Sequence, residues 1–372
     1  MININIYKKQ NLVWLSYFIN GFIQKYLKQY PIFVTFFVTS KCNAKCKHCF
    51  YWKESSEFAE KKELSVEEIK KISRSMHNFP FLLVSGGEPF LRKNLAEICK
   101  IFYDNNKVQN INIPTNGILT NNIISTTKQI LKECPKSLIT IQLSIDGLFE
   151  KHDKIRNVNG AFNSLIRTYN ELSLLKKRFK NIEVTFCFTF SYFSQDYVKE
   201  VYEFIIKKLK CSRICTVLIR GNPRDKKSKE VDIKKYEEIT PIYNNLLGKR
   251  KQSNLSYHNT YKTRINLLYK EVAEIYKKNH QLMPCYAGIL NAVISERGVV
   301  YPCEILNKEL GDLRKNNYDF NKIWRNEKAK SIRRWIKTSK CFCTDETFVS
   351  NNCRFSFGFY SRLFKGILRF KK

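Results

Sequence analysis

No run in this sequence reaches the roughly 18 consecutive apolar residues of a membrane-spanning helix. The N-terminus, MININIYKKQ, also lacks the short apolar core and small-residue cleavage site of a secretory signal. Without an export route, the 13 cysteines are expected to be reduced in a cytoplasm-like compartment, as metal ligands or buried thiols and not as disulfides. Acidic residues are scarce, 33 against 66 Lys and Arg, for a formal net charge of +33. Such an excess suits nucleic acid, an anionic membrane surface or an acidic substrate. The lysines, however, are spread along the whole chain among many Asn and Ile, as biased codon usage gives. A solvated surface therefore accounts for most of the charge, and no nucleic acid partner is expected. With 372 residues, 43% of them hydrophobic, the chain can fill a sizeable core.

What is present is a regular alternation. Apolar, β-branched runs alternate with helical patterns from 31 to 220, the mark of βα units around a parallel sheet and so of an α/β fold. Strands are expected at 31–38, 81–85, 108–113, 138–144, 182–190 and 214–220. A helix over 65–77 opens on a capping-box pattern, Ser65 with Glu68. The strand-bearing segments run into polar turns containing glycine: SGGEP, PTNG, SIDG and RGNP. Ligands of parallel βα folds gather at the carboxyl ends of strands, so these turns should share one face.

The first of these strands leads into TSKCNAKCKHCFYW, with Cys42, Cys46 and Cys49 on one short loop. Three thiolates so placed can reach three corners of an iron–sulfur cube and leave one iron open. His48 could be a fourth ligand to zinc, but its adjacency to Cys49 makes convergence on one tetrahedral ion awkward.

Taken with SGGEP after the second strand, the sequence resembles the radical S-adenosylmethionine (SAM) superfamily. The resemblance implies a partial (β/α)6 TIM-like barrel in which Cys42, Cys46 and Cys49 hold a [4Fe–4S] cluster whose open iron chelates the amino and carboxylate groups of SAM. It assigns the turn Gly86-Gly87-Glu88-Pro89 to the methionine ammonium; the glycines would let backbone approach the ligand, and Glu88 can accept from a cation. His48 stands where the family usually has an aromatic residue near the adenine; the alternative is a solvated loop histidine. Asn116 and Ser144 match positions lining the ribose and methionine end of SAM, and Arg156 matches an arginine suited to its carboxylate. Asp146 reads as a residue that stabilises its Asp-Gly turn. The family's reaction is reductive cleavage of SAM to a 5′-deoxyadenosyl radical, with an electron donor such as flavodoxin or ferredoxin.

A second resemblance lies near the C-terminus. Cys285, Gly298 and Cys303 in CYAGILNAVISERGVVYPCEIL, followed by ELGDLR and Trp324, resemble the SPASM/twitch extension of many such enzymes. Gly298 permits a hairpin that brings the two cysteines together. The last group, CFCTDETFVSNNC, departs from that family, which carries enough cysteines for two auxiliary clusters where this chain has Cys341, Cys343 and Cys353. One auxiliary iron–sulfur cluster on Cys285, Cys303, Cys341 and Cys343 is the economical expectation, with Cys353 buried or idle; related short forms carry a further cysteine where Thr347 stands. Cys99, Cys134, Cys187, Cys211 and Cys215 read as core or surface residues.

Both ends are amphipathic. Leu12, Leu15, Ile19, Phe22, Ile23 and Tyr26 share one helical face, which is expected to pack under the barrel. In the tail, Phe359, Leu363, Phe364, Ile367 and Phe370 alternate with Arg362, Lys365, Arg369, Lys371 and Lys372, a pattern that suits either an anionic membrane surface or packing. The expected divisions are an N-terminal helix (1–30), the barrel (31–221), a charged helical linker (222–280), an auxiliary-cluster domain (281–353) and the basic tail (354–372). The expected substrate is a lipid, a lipid-linked sugar or another small molecule, and the alternative is a peptide or protein. About thirty residues precede the first strand, and no leader-binding domain is evident among them. The expected location is cytoplasmic or peripheral to the membrane's inner face.

Overall fold

The computed structural model describes residues 19, 21–57, 62–247, 255–339, 341–356, 358, 359 and 361. Six strands, β1 (Phe33–Thr39), β2 (Phe81–Gly86), β3 (Asn110–Thr115), β4 (Leu138–Ser144), β5 (Ile182–Phe190) and β6 (Ile214–Leu218), pair in parallel in chain order. They lie where the apolar runs place them, as a partial (β/α)6 barrel requires. The period of two decides their faces. Val34, Phe36, Ile139, Ile141, Val184, Phe186 and Phe188 are buried on the outer side, each adding about 1.5–3 kcal/mol of apolar burial. The alternate residues, among them Asn112, Thr140, Gln142, Ser144 and Cys187, line an internal cavity.

Five helices cover the outer face: α1 (Val66–Ser75), α2 (Leu95–Asn106), α3 (Thr120–Glu133), α4 (Ala161–Arg178) and α5 (Val198–Glu203). The capping box is present at α1: Glu68 N–H donates to Ser65 Oγ (3.2 Å), and Ser65 N–H donates to Glu68 Oε2 (2.7 Å). Glu68 also receives the Arg314 guanidinium at 2.8 and 3.0 Å, tying the C-terminal segment to this helix start.

The C-terminal cysteine region is an extension of the barrel sheet. β7 (Asn291–Ile294) runs parallel to β1 with Phe33 opposite Asn291, then β8 (Val299–Tyr301) and β9 (Gly311–Asp312) follow antiparallel, giving the order β6-β5-β4-β3-β2-β1-β7-β8-β9. The turn between β7 and β8 holds Gly298 at φ +88°, the left-handed region that favours glycine. Trp324 is fully buried and its indole N–H donates to Lys28 O (3.2 Å), fastening this region to the N-terminal segment.

At the other edge, α6 (Leu255–Lys278) and α7 (Glu346–Arg354) pack together across β6. Thr216 N–H donates to Tyr269 Oη (2.9 Å) and Leu218 N–H donates to Glu346 Oε1 (2.6 Å), so side chains occupy two donors of an edge strand that would otherwise invite pairing. The charged stretch expected to be a linker thus helps to close the barrel, with Tyr236, Ile239, Val272 and Ala273 buried.

Of the helical face expected to pack at the N-terminus, Phe22 does so and its other described members do not. Phe22 meets Phe355 edge-on at 5.5 Å and Gln24 is buried, whereas Ile19, Ile23 and Tyr26 stand exposed. Gly21 explains the choice: a Cβ there would lie 2.1 Å from the Phe355 ring, so only glycine allows this approach. Leu12, Leu15 and the tail from 362 onward lie outside the described residues, while Phe359 is buried in the main core. Among the described residues no helix is long and apolar enough to cross a membrane.

Candidate functional site

The cysteine loop follows β1 and is held by its neighbours' backbones. Lys45 N–H donates to Arg156 O (3.2 Å) and Lys47 N–H to Ile155 O (3.0 Å), while Arg224 N–H donates to Cys49 O (3.0 Å). The end of the helix after β4 (Glu150–Arg156) and the loop after β6 therefore clamp it over the barrel mouth. Cys42, Cys46, Cys49, His48, Gly86, Gly87, Glu88, Asn116, Ser144 and Arg156 all line one cavity of about 490 Å³. Pro89 starts a short turn of helix just behind and is buried. The expectation that the turns share one face holds.

Several local reasons differ from those expected. An added Cβ would lie 2.2 Å from Thr39 O at Gly86 and 2.1 Å from Lys41 O at Gly87. These glycines let the turn approach the cysteine loop's own backbone, sealed by Gly87 N–H to Thr39 O (2.9 Å) and Glu88 N–H to Lys41 O (2.8 Å). Glu88 is a clasp: its carboxylate accepts from Phe90 N–H (3.2 Å), Thr115 Oγ1 (2.8 Å) and Asn116 N–H (2.8 Å). Burial pushes its pKa up to about 7 against those bonds. Asn116 donates from Nδ2 to Asn43 Oδ1 in the cysteine loop (2.7 Å).

Asp146 does more than shape its turn. It is fully buried, pairs with Arg156 at 2.5 Å, lies 3.8 Å from His48 Nε2, and accepts from Thr189 N–H (2.8 Å). Arg156 in turn reaches Cys46 Sγ at 3.6 Å, so its charge is shared between Asp146 and the cysteine loop. His48 is a buried cavity residue and not a solvated one; burial lowers its pKa to about 4, and Nδ1 has no partner. Burial raises the Cys46 thiol and pushes Cys42 up to about 11 and Cys49 up to about 12.

A second group of thiols gathers beside the first. Burial raises the pKa of the Cys285, Cys303 and Cys343 thiols, and neighbouring thiols add to it, Cys341 at Cys285, Cys285 at Cys303, and both Cys285 and Cys303 at Cys343. Cys285, Cys303 and Cys343 share one apolar cluster with Cys49. Cys353 is elsewhere, buried in the main core with Sγ 3.5 Å from Met283 Sδ. Among the described residues no three metal-binding side chains converge on a single point.

Sequence reasoning missed the far wall of the cavity. Arg220 bridges Glu304 (3.0 Å) and Asp345 (3.1 Å), and Glu346 receives Tyr236 Oη (2.7 Å) while its Oε2 has no partner. Burial lifts Glu346 to about 8. Cys187 and Cys215 also face inward. For them the signal was present: in IEVTFCFTF the polar positions alternate with apolar ones, placing Cys187 in phase with Thr185 and Thr189.

Comparison with known proteins gives two family matches, "Radical SAM superfamily" over residues 36–205 and the SPASM "Iron-sulfur cluster-binding domain" over 285–353. The chain is 37% identical to Fe-coproporphyrin III synthase of Methanosarcina barkeri over 35% of its own length, and spans only 31% of that relative. It is 26% identical to the AdoMet-dependent heme synthase of the same organism, over 80% of this chain and 82% of the other. With the sporulation killing factor maturation protein SkfB of Bacillus subtilis it shares 27% identity over 50% of this chain and 41% of that one. Among solved structures, native anSMEcpe with bound AdoMet superposes with a TM-score of 0.57 at 17% identity, covering 91% of this chain and 97% of that one, which bears on the fold.

Proposed function

The chain belongs to the radical SAM superfamily, and from that premise we propose that it is an enzyme that reductively cleaves SAM and removes hydrogen from a carbon of a bound substrate. One observation carries the reading: the three thiols of one short loop, Cys42, Cys46 and Cys49, stand at the mouth of a cavity that also collects Gly87, Asn116, Ser144 and Arg156. When bound, a [4Fe–4S] cluster and SAM supply an electron and a 5′-deoxyadenosyl radical able to attack an unactivated C–H bond. The chain's own part is to hold and exclude. Asp146 fixes Arg156 beside Cys46, Glu88 and Asn116 lock the β2 and β3 turns to the cysteine loop, and the apolar ring of Phe37 and Tyr51 shields the space between the two thiol groups. Cys285, Cys303, Cys341 and Cys343 would hold an auxiliary cluster, with Cys353 left to the core.

For the substrate, the polar inner wall of Asn110, Asn112, Thr140 and Gln142 suits a small polar molecule, or the sugar of a lipid-linked one, better than an acyl chain. A peptide side chain would also fit, and the likeness to a maturation protein supports that reading equally. A peripheral membrane role rests on the exposed Ile19, Ile23, Tyr26 and Leu27 together with the basic tail.

The test is release of 5′-deoxyadenosine and methionine from anaerobically reconstituted protein given SAM and a low-potential reductant, with peptide and small-molecule fractions of cell extract added in turn. The reading expects basal release that one fraction accelerates. No release from protein with its full iron content would overturn it.

A further inference from the structure

The inner wall of the barrel carries two thiols side by side. Cys187 on β5 and Cys215 on β6 are register partners, both are free, and both line the cavity. Neighbouring strands lie about 4.8 Å apart, within the roughly 4.4–6.8 Å between Cα atoms that a disulfide spans. The neighbouring Cys215 thiol, followed by burial, holds the Cys187 thiol well above its ordinary pKa. Gln142 Nε2 donates to Cys215 Sγ at 3.2 Å, and Cys215 Sγ donates to Phe186 O at 3.5 Å. Ser144 is the register partner of Cys187 on the other side, so Ser144, Cys187 and Cys215 form one row across three strands, at the end of β4, within β5 and near the start of β6. Cys99 and Cys134, by contrast, belong to the core outside this wall.

We propose that Cys187 and Cys215 form a redox-active dithiol that returns a hydrogen atom to a substrate-centred radical. This deepens the SAM-dependent reading of the same cavity and rests on it. An S–H bond is weaker than most C–H bonds, so transfer from sulfur to carbon runs downhill, and a thiol kept protonated by burial is a hydrogen donor and not a nucleophile. The C–H bond forms as the S–H bond breaks, leaving a sulfur radical. Its neighbour closes the S–S bond, releasing one proton and one electron. The electron replaces the one spent on SAM, at an iron–sulfur cluster; an external dithiol then restores both thiols by exchange, itself ending as a disulfide. The substrate's net change is redox-neutral. Hydrogen is exchanged, and where it returns to the opposite face the carbon is inverted.

Two measurements test the proposal. In the first, reduced full-length protein is treated anaerobically with diamide, blocked and digested, and its peptides are identified by mass spectrometry. A Cys187–Cys215 disulfide is expected, with Cys99 and Cys134 recovered as free thiols; finding Cys187 and Cys215 still free, or joined to other cysteines, overturns the pair. In the second, reconstituted protein is given SAM and reductant in D₂O without substrate, so that the exchangeable S–D is the hydrogen source in the cavity. Deuterium per molecule of 5′-deoxyadenosine should fall several-fold in Cys187→Ser and in the Cys187→Ser, Cys215→Ser double variant, with iron content and circular dichroism as controls for folding. An unchanged ratio in both variants overturns the hydrogen-donor role. If native protein releases no 5′-deoxyadenosine, the SAM reading itself fails, and the disulfide map alone then judges the dithiol.

Discussion

Asp146 shows how a residue that looks ordinary in sequence becomes decisive when buried. An Asp-Gly pair is a common turn, yet here the carboxylate is the partner that allows Arg156 to sit in the interior against Cys46. Asp146→Asn would leave that guanidinium charged and uncompensated, and denaturant unfolding should report a loss of about 3–5 kcal/mol. Glu346 gives a prediction of the opposite kind. Its pKa is raised by burial from 4.5 to about 8, so the folded chain binds the proton more tightly than the unfolded one. The associated stability is full below about pH 4.5 and is lost as pH rises through about 8. Glu346→Gln should therefore flatten the fall of Tm between these limits; an unaltered slope would place the titration elsewhere. Neither role was legible from the sequence. Both depend on what surrounds the side chain, and those neighbours, Arg156 for one and Leu218 and Tyr236 for the other, come together only on folding.

Elements were easier to read than environments. The six barrel strands announce themselves because each buries an apolar face against helices, and a period of two with turn signals on either side survives in the sequence. The helix at Val66–Ser75 was legible by its cap, a purely local device. The junction of β7 with β1 was not: it pairs residues more than 250 positions apart, and Asn291–Ile294 is too short for its pattern to name a partner. The same holds for the packing of the N-terminal helix, set by Gly21 and Phe355, which takes Phe22 from its apolar stripe and leaves Ile23 exposed. A test at this scale concerns the last cysteines. Cys343→Ala should lower iron in the reconstituted protein towards half, on the premise of two cubes, whereas Cys353→Ala should leave iron unchanged because that sulfur faces Met283. Equal losses from both would exchange their roles.

At the scale of the whole molecule, one sheet carries both thiol groups, with β1 between them. Its carboxyl end leads into Cys42, Cys46 and Cys49, and its far side pairs with the strand between Cys285 and Cys303. If the exposed Ile19, Ile23, Tyr26 and Leu27 and the basic tail meet lipid, co-sedimentation should require anionic vesicles and weaken with salt, since charges are screened within about 10 Å at 0.1 M. Equal recovery with neutral vesicles would return them to packing. The central claim is the open cluster at the barrel mouth, and electron paramagnetic resonance of the reduced, reconstituted protein tests it most directly. Addition of SAM should change one of two cluster signals, and the triple replacement of Cys42, Cys46 and Cys49 by Ala should remove that signal and leave the other. A spectrum that SAM does not alter, or a SAM-sensitive signal that persists in the triple variant, would contradict the account.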